Sequence, residues 1–159
     1  MPVRVQLEDF DLSADLARLR AGHPDTGAVA AFVGTVREFD GDGTVSQLEL
    51  EHYPGMTEAA LEDIVARARR RWEVIDVLVV HRVGALRACE QIVLVAVAAR
   101  HRAEAFAACE FVMDYLKTRA PFWKKQQTAE GECWVDAREL DEAALARWTV
   151  AGAAQPLSI

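Results

Sequence analysis

Residues 74–99 read VIDVLVVHRV-GALRACE-QIVLVAVAA: two nearly continuous apolar runs, Val74–Val83 and Gln91–Ala99, joined by Gly84–Glu90. Both are rich in β-branched side chains, and both are far short of the roughly 20 residues that a bilayer span needs. Such side chains suit a pleated surface, and an unbroken apolar run, as opposed to an alternating one, marks a strand covered on both faces. The pair predicts two buried strands at the centre of the fold.

Downstream, Phe106, Cys109, Met113 and Leu116 recur at helical spacing and predict a helix over about Arg102 to Thr118 with these four as its core stripe. Pro121 forces its end, since proline lacks a backbone N–H and clashes with the preceding turn. Phe122 to Val135 reads as a strand or hairpin bending at Gly131, and Asp141 to Trp148 as a short helix. Upstream, Thr57 is a credible cap for a helix carrying Leu61, Ile64, Val65, Ala68 and Trp72 on one stripe, with Arg67, Arg69, Arg70 and Arg71 solvated. Ala28–Val36 and Val45–His52 read as strands flanking a flexible loop, Phe39–Gly43, and are expected to form a hairpin. Val3–Leu7 alternates as a short strand, and Ser13 can cap a helix over Ala14–Ala21.

The resulting order, β-α-β-β-α-β-β-α-β, has neither strict βαβ alternation nor an all-β run. It predicts an α+β fold with about three helices on a mixed or antiparallel sheet. At 159 residues the chain fits one domain, placed at 1–149, with 150–159 expected to be a mobile tail.

Hydrophobic residues at 52% and charged residues at 27% suit a folded, water-soluble domain and exclude a disordered chain. The net charge of −7 argues against general nucleic-acid binding, which draws on excess Lys and Arg. No secretion signal or membrane span is read, so the expected location is the cytoplasm. Cys89, Cys109 and Cys133 are widely spaced and form no C-x-x-C pair, so each is read as a small buried hydrophobe. His23, His52, His81 and His101 have no ligand spacing among themselves, and no metal or cofactor is expected.

The charge is uneven: residues 100–125 carry a local +3, leaving −10 on the remainder. Three polar segments at element ends stand out as candidate chemistry. Arg37 closes Phe32-Val33-Gly34-Thr35-Val36-Arg37 at a strand end, where its planar fork suits phosphate, although sequence pattern alone favours an ordinary surface role. His101 and Arg102 stand where an apolar strand gives way to a helix N-terminus, whose free N–H groups and positive dipole end favour anions. Lys117 falls in the last helical turn, where the dipole favours any cation and Asp114 is in reach as a simple partner. The other reading is catalytic: neighbouring cations, with Phe122 and Trp123 as a dry wall, favour a free amine able to act as base or nucleophile.

Five ordered blocks carry more than any one segment. They are 32–37; Leu50-Glu51-His52-Tyr53-Pro54-Gly55-Met56; His81-Arg82-Val83-Gly84; His101-Arg102-Ala103-Glu104-Ala105-Phe106; and Lys117-Thr118-Arg119-Ala120-Pro121-Phe122-Trp123-Lys124-Lys125. In order and spacing, over roughly residues 28–136, they resemble the molybdopterin synthase large (catalytic) subunit family. The resemblance implies an α/β hammerhead-type fold and a homodimer at the core of a heterotetramer. It also implies a small ubiquitin-like sulfur-carrier subunit that brings sulfur as a C-terminal Gly-Gly thiocarboxylate, cyclic pyranopterin monophosphate as substrate, and the molybdopterin dithiolene, made by transfer of two sulfurs, as product. Since this sequence ends Gln155-Pro156-Leu157-Ser158-Ile159, the carrier is expected in trans.

Carried over by motif, Arg37, His101 and Arg102 bind the substrate phosphate, the His-Arg pair reaching it across the dimer. Lys117 is the central catalytic residue and Lys124 its partner, both also touching substrate. Two departures stand out. Ala88-Cys89-Glu90 occupies a turn where the family usually has Gly before the acidic residue, so that turn is expected to differ, and Gln126 stands where Glu is frequent. Two rival readings remain: a cysteine-persulfide sulfurtransferase using Cys89 or Cys109, and a nonenzymatic anion- or nucleotide-binding module on the same basic segment.

Overall fold

The computed structural model describes residues 2–40, 43–128, 131–135 and 139–154. The two central runs are strands, β5 (Val74–Arg82) and β7 (Gln91–Ala99), paired antiparallel. Outside them lie β1 (Val3–Gln6), parallel to β5, and β2 (Ala28–Thr35), antiparallel to β7, giving the four-stranded order β1-β5-β7-β2. Their apolar runs are continuous because both faces are covered. Val77, Val79, Val93, Val95 and Val97 face α2 (Met56–Arg71) and α3 (Arg102–Arg119), while Leu78, Val80, Leu94, Ala96 and Ala98 pack beneath α1 (Leu12–Arg20) with Phe10 and Leu19.

A second sheet hangs from the end of the first. It contains β3 (Phe39–Asp40), β4 (Gly43–His52), β6 (Gly84–Arg87), β8 (Phe122–Thr128) and β9 (Gly131–Val135), in the order β3-β4-β8-β9 with β6 also on β4. Val36, Leu48, Leu50, Val83 and Leu86 close the junction between the two sheets. A fourth helix, α4 (Glu139–Ala154), packs on α3. The class is the expected α+β with a mixed arrangement, with four helices among the described residues.

Several local expectations are corrected. β2 and β4 are not a hairpin: β2 pairs with β7 and β4 with β8 and β6, because the buried β7 takes the apolar β2 as its outer neighbour. The short hairpin here is instead β3 with the start of β4, Phe39 opposite Thr44. Residues 41 and 42 of the expected loop lie outside those described.

Helix α1 is capped by Asp11 and not by Ser13, the Asp11 carboxylate accepting from Ala14 N at 3.0 Å. Helix α2 begins a residue before Thr57, with Gly55 at the cap at φ +85°, where a Cβ would be strained. Phe106 is not in the core. Ala105, Ala108, Cys109, Val112, Met113 and Leu116 form the buried stripe, and Phe106, about 100° round the helix from Ala105, stands 64% exposed. Residues 150–154 of the expected tail continue α4, and 155–159 lie outside the described residues. No helix among the described residues is long and apolar enough to cross a membrane.

Candidate functional site

Pro121 stops α3 and β8 starts at once, so the last helical turn and the strand's first residues are held together. Thr57 is the fastener. Buried in α2, its Oγ1 donates to the Pro121 carbonyl at 3.0 Å and accepts from Tyr53 N at 3.0 Å, tying the 53–57 turn to the 120–122 turn.

Along β8 successive side chains alternate faces. Phe122, Lys124 and Gln126 share the face that meets His52, Leu50 and Leu48 of β4, and the two leucines belong to the core between the sheets. Trp123, Lys125 and Gln127 take the other face. Lys125 is bound there by Glu132 at 3.2 Å, which with Glu49 and Glu51 raises its pKa. Adjacent lysines thus have different surroundings, Lys124 turned inward and Lys125 outward. Trp123 is half exposed on this outer face, edge-on to Tyr53 with ring centroids 6.1 Å apart. It is not the dry wall expected of it. Phe122 is: its ring lies flat on His81, centroids 3.8 Å apart and planes 17° apart.

His81 ends the inward-facing row Val77, Val79, His81 on β5, flanked by Val5 on β1 and Val93 on β7. Its Nδ1 lies 2.8 Å from the Arg82 carbonyl. Burial drives its pKa down to about 3; the hydrogen bond to Arg82 opposes this, and the charges of Lys124, Lys117 and His52 push further down. One buried imidazole therefore sits within the field of both lysines singled out in the sequence. His52 belongs to the same group, its Nε2 3.5 Å from Glu58 Oε1.

The alternative partner for Lys117 is otherwise engaged. The Asp114 carboxylate accepts from Arg147 at 2.8 Å and from the indole N–H of Trp148. Lys117 is left exposed at the helix end, and among the described residues it forms no ion pair. Arg82, beside His81, is structural: buried, it donates to the carbonyls of Leu7 and Gln91 and to Glu90, fastening β5 to its neighbours.

The other predicted residues divide between the two ends of the sheet. Arg37 follows β2 at the end where Thr35 faces Gln91, the end to which α3 returns with Lys117. It is exposed and engaged. Its neighbour Val36 is fixed by two backbone bonds, Val36 N to Glu90 O at 2.9 Å and Cys89 N to Val36 O at 2.8 Å. His101 and Arg102, exposed at the start of α3, are at the opposite end, fifteen residues or about 22 Å of helix from Lys117. Within one chain, the charges of Lys117 and Lys124 both act on His81, Arg37 shares the end of the sheet where α3 finishes, and the His101–Arg102 pair lies at the other end. His81 itself was not singled out as a site residue, although a lone polar residue in an otherwise apolar run was the available signal.

The family model described as "MoaE protein" matches residues 5–119. The chain belongs to the MoaE protein family. The match takes in Arg37, His81, His101, Arg102 and Lys117. Over 148 residues this MoaE-family chain is 66% identical to "Molybdopterin synthase catalytic subunit" of Ralstonia nicotianae, covering 93% of this chain and 84% of that one. Among solved structures, the "Molybdopterin biosynthesis MoaE protein" of Burkholderia ambifaria is 62% identical with a TM-score of 0.80, covering 92% of this chain and 97% of that one. The X-ray structure of molybdopterin synthase from Staphylococcus aureus reaches the same TM-score of 0.80 at 29% identity, over 86% of this chain and 98% of that one.

The departure at Ala88-Cys89-Glu90 now has a physical description. Cys89 adopts φ +74°, the left-handed conformation that glycine takes without strain. Thus this MoaE-family chain makes a glycine-type turn with a cysteine in it. Its thiol is exposed, whereas Cys109 is buried, donates to the Val95 carbonyl and is pushed up to about 11 by burial, which removes it as a sulfur-carrying nucleophile near neutral pH. The side chain of Cys133 is outside those described.

Proposed function

We propose that this chain is the catalytic subunit of molybdopterin synthase. It transfers two sulfurs from the C-terminal thiocarboxylate of a small ubiquitin-like carrier to cyclic pyranopterin monophosphate, forming the dithiolene. The observation that carries the reading is the 66% identity, over 93% of this chain, to a named catalytic subunit, with the charges of Lys117 and Lys124 both acting on one buried histidine.

In this reading the thiocarboxylate sulfur attacks a side-chain carbon of the pterin, forming a C–S bond as a C–O bond at that carbon breaks, its oxygen leaving as water or staying on the phosphate. Water then cleaves the acyl–sulfur bond, leaving sulfur on the pterin and a carboxylate on the carrier. Lys117 serves the proton transfers, Lys124 supports it, and the cations offset charge that grows on oxygen and phosphate. Arg37, His101 and Arg102 hold the phosphate.

The separation of His101–Arg102 from Arg37 calls for a second copy. β2 is an outer strand with an apolar sequence, and Phe32 on it and Phe106 on α3 are 40% and 64% exposed. Gly27, next to β2, lies against the Arg100 carbonyl, so the start of β2 and the His101 end are neighbours. An antiparallel two-fold pairing of β2 strands therefore carries the partner's His101–Arg102 end to the Arg37 end of this chain. The working unit is this homodimer with one carrier on each side, in the cytoplasm, built from residues 1–149.

The test is reconstitution. Purified chain, thiocarboxylated carrier and cyclic pyranopterin monophosphate should yield one dithiolene for every two carriers consumed, and a variant lacking all three cysteines should match the wild type. A folded wild-type chain that yields nothing with a carrier active elsewhere contradicts the proposal.

A further inference from the structure

We propose that Arg147 and Trp148 of α4 are positioning residues for Lys117: by binding Asp114 they keep that carboxylate from pairing with the amine at the end of α3. The helix itself sets up the competition. Residues three or four apart on a helix are neighbours, and an acid three or four places before a lysine pairs with it favourably. At this spacing Lys117 has Met113 and Asp114 before it and Ala120 and Pro121 after it, so Asp114 is its one acidic neighbour along the chain. Yet the two are not paired. Asp114 Oδ2 accepts from Arg147 Nη2 at 2.8 Å and from the indole N–H of Trp148, so both donors of α4 draw on one oxygen.

Three helices hold these donors in place. α4 runs antiparallel to α3, with Glu142 4.0 Å from Arg119 and Arg147 bridging Glu110 and Asp114 at 2.9 and 2.8 Å. The Trp148 ring stands edge-on to Trp72 at 5.6 Å and to Phe111 at 5.5 Å, and Arg71 of α2 donates to the Trp148 carbonyl at 3.3 Å. The Asp114 side chain is only 17% exposed, so water competes little for it, and the Arg147 guanidinium offsets the charge it would otherwise present to the amine. An ammonium has three N–H groups, and those of Lys117 stay available to substrate. Arg147 and Trp148 lie beyond the family match over 5–119 and outside the five sequence blocks.

The proposal rests on the assignment of Lys117 to the reaction, but its first test does not need turnover. Arg147→Met combined with Trp148→Phe removes both donors and keeps most of the bulk of each side chain. Acetylation of Lys117 by N-hydroxysuccinimide acetate, followed by mass spectrometry of its peptide, should slow about twofold in this chain, as a helical pair at this spacing implies. Adding Asp114→Asn should restore the wild-type rate. In the reconstituted reaction kcat should follow the same pattern with little change in KM, and Asp114→Asn alone should leave it unchanged. The double and triple variants share any loss of packing, so the difference between them reports the carboxylate. Should α4 detach in both, Asp114 is freed all the same and the expected pattern stands. Labelling that never slows in the double variant, or that stays slow in the triple variant in step with its unfolding midpoint, overturns the proposal. If the wild type makes no dithiolene at all, the functional reading fails and the labelling still decides whether α4 controls the pair.

Discussion

Phe122 covers His81 face to face, 3.8 Å between centroids, and so a strand of the second sheet seals the end of the first. The sealed imidazole stays neutral down to about pH 3, whereas an unfolded histidine protonates near 6.5. A folded-state pKa below the unfolded value costs nothing above pH 6.5, and stability is lost progressively as pH falls from 6.5 towards 3, since only the unfolded chain takes the proton. Going from pH 7 to pH 5 should remove about 2 kcal/mol. Urea unfolding of wild type and His81→Leu at the two pH values measures it: the wild type should lose this amount, and the variant should lack that part of the dependence.

The inward and outward lysines of β8 should separate cleanly. Lys124→Ala should reduce dithiolene formation by at least about a hundredfold, in the range that removal of a charge-stabilising group costs. Lys125→Ala, which removes a partner of Glu132 on the other face, should stay within about twofold, as expected for an exposed pair. Equal losses would show that the strand is read in the wrong register.

Cys89 at φ +74° is under backbone strain. Cys89→Gly should raise unfolding free energy by up to about 1 kcal/mol, the relief of left-handed strain less the extra freedom of the unfolded chain. Cys89→Val should lower it by at least as much, because β-branching worsens the same conformation. Chemical denaturation is the measurement, and a destabilised glycine variant contradicts the reading of that turn.

If the phosphate site draws His101 and Arg102 from the second copy, inactive Lys117→Ala and inactive Arg102→Ala chains should complement each other. Refolded together in equal amounts, they form heterodimers with one intact site, and about a quarter of wild-type turnover should return. No recovery above the separate variants places all five residues within one chain's site.

How far the sequence reached depended on where the decisive contact lay. β5, β7 and α3 were legible because a long apolar run and a 3.6-residue period are local signals, and their bounds came out within a residue or so. The partner of β2 was not legible: nothing in Ala28–Val36 distinguishes pairing with the next strand from pairing with one some 60 residues on, and loop-adjacent strands suggested the former. Phe106 was misplaced because periodicity alone gives a stripe's direction but not its width. Thr57 was noticed for the wrong reason, its hydroxyl fastening Pro121 and Tyr53 and not the helix end. Lys117, Lys124, Arg37, His101 and Arg102 are proposed as site residues through their order along the chain. His81 escaped because its importance comes from Phe122 and Lys124, which only the junction of two sheets brings to it.

The most direct measurement of the central claim is the yield of dithiolene from Lys117→Ala beside wild type, with thiocarboxylated carrier and cyclic pyranopterin monophosphate both saturating. Lys117 is exposed and Asp114 is bound elsewhere, so the variant should fold and still bind both partners while its turnover falls by at least about a hundredfold. Turnover close to wild type would contradict the account, since the amine at the end of α3 would then have no part in the chemistry.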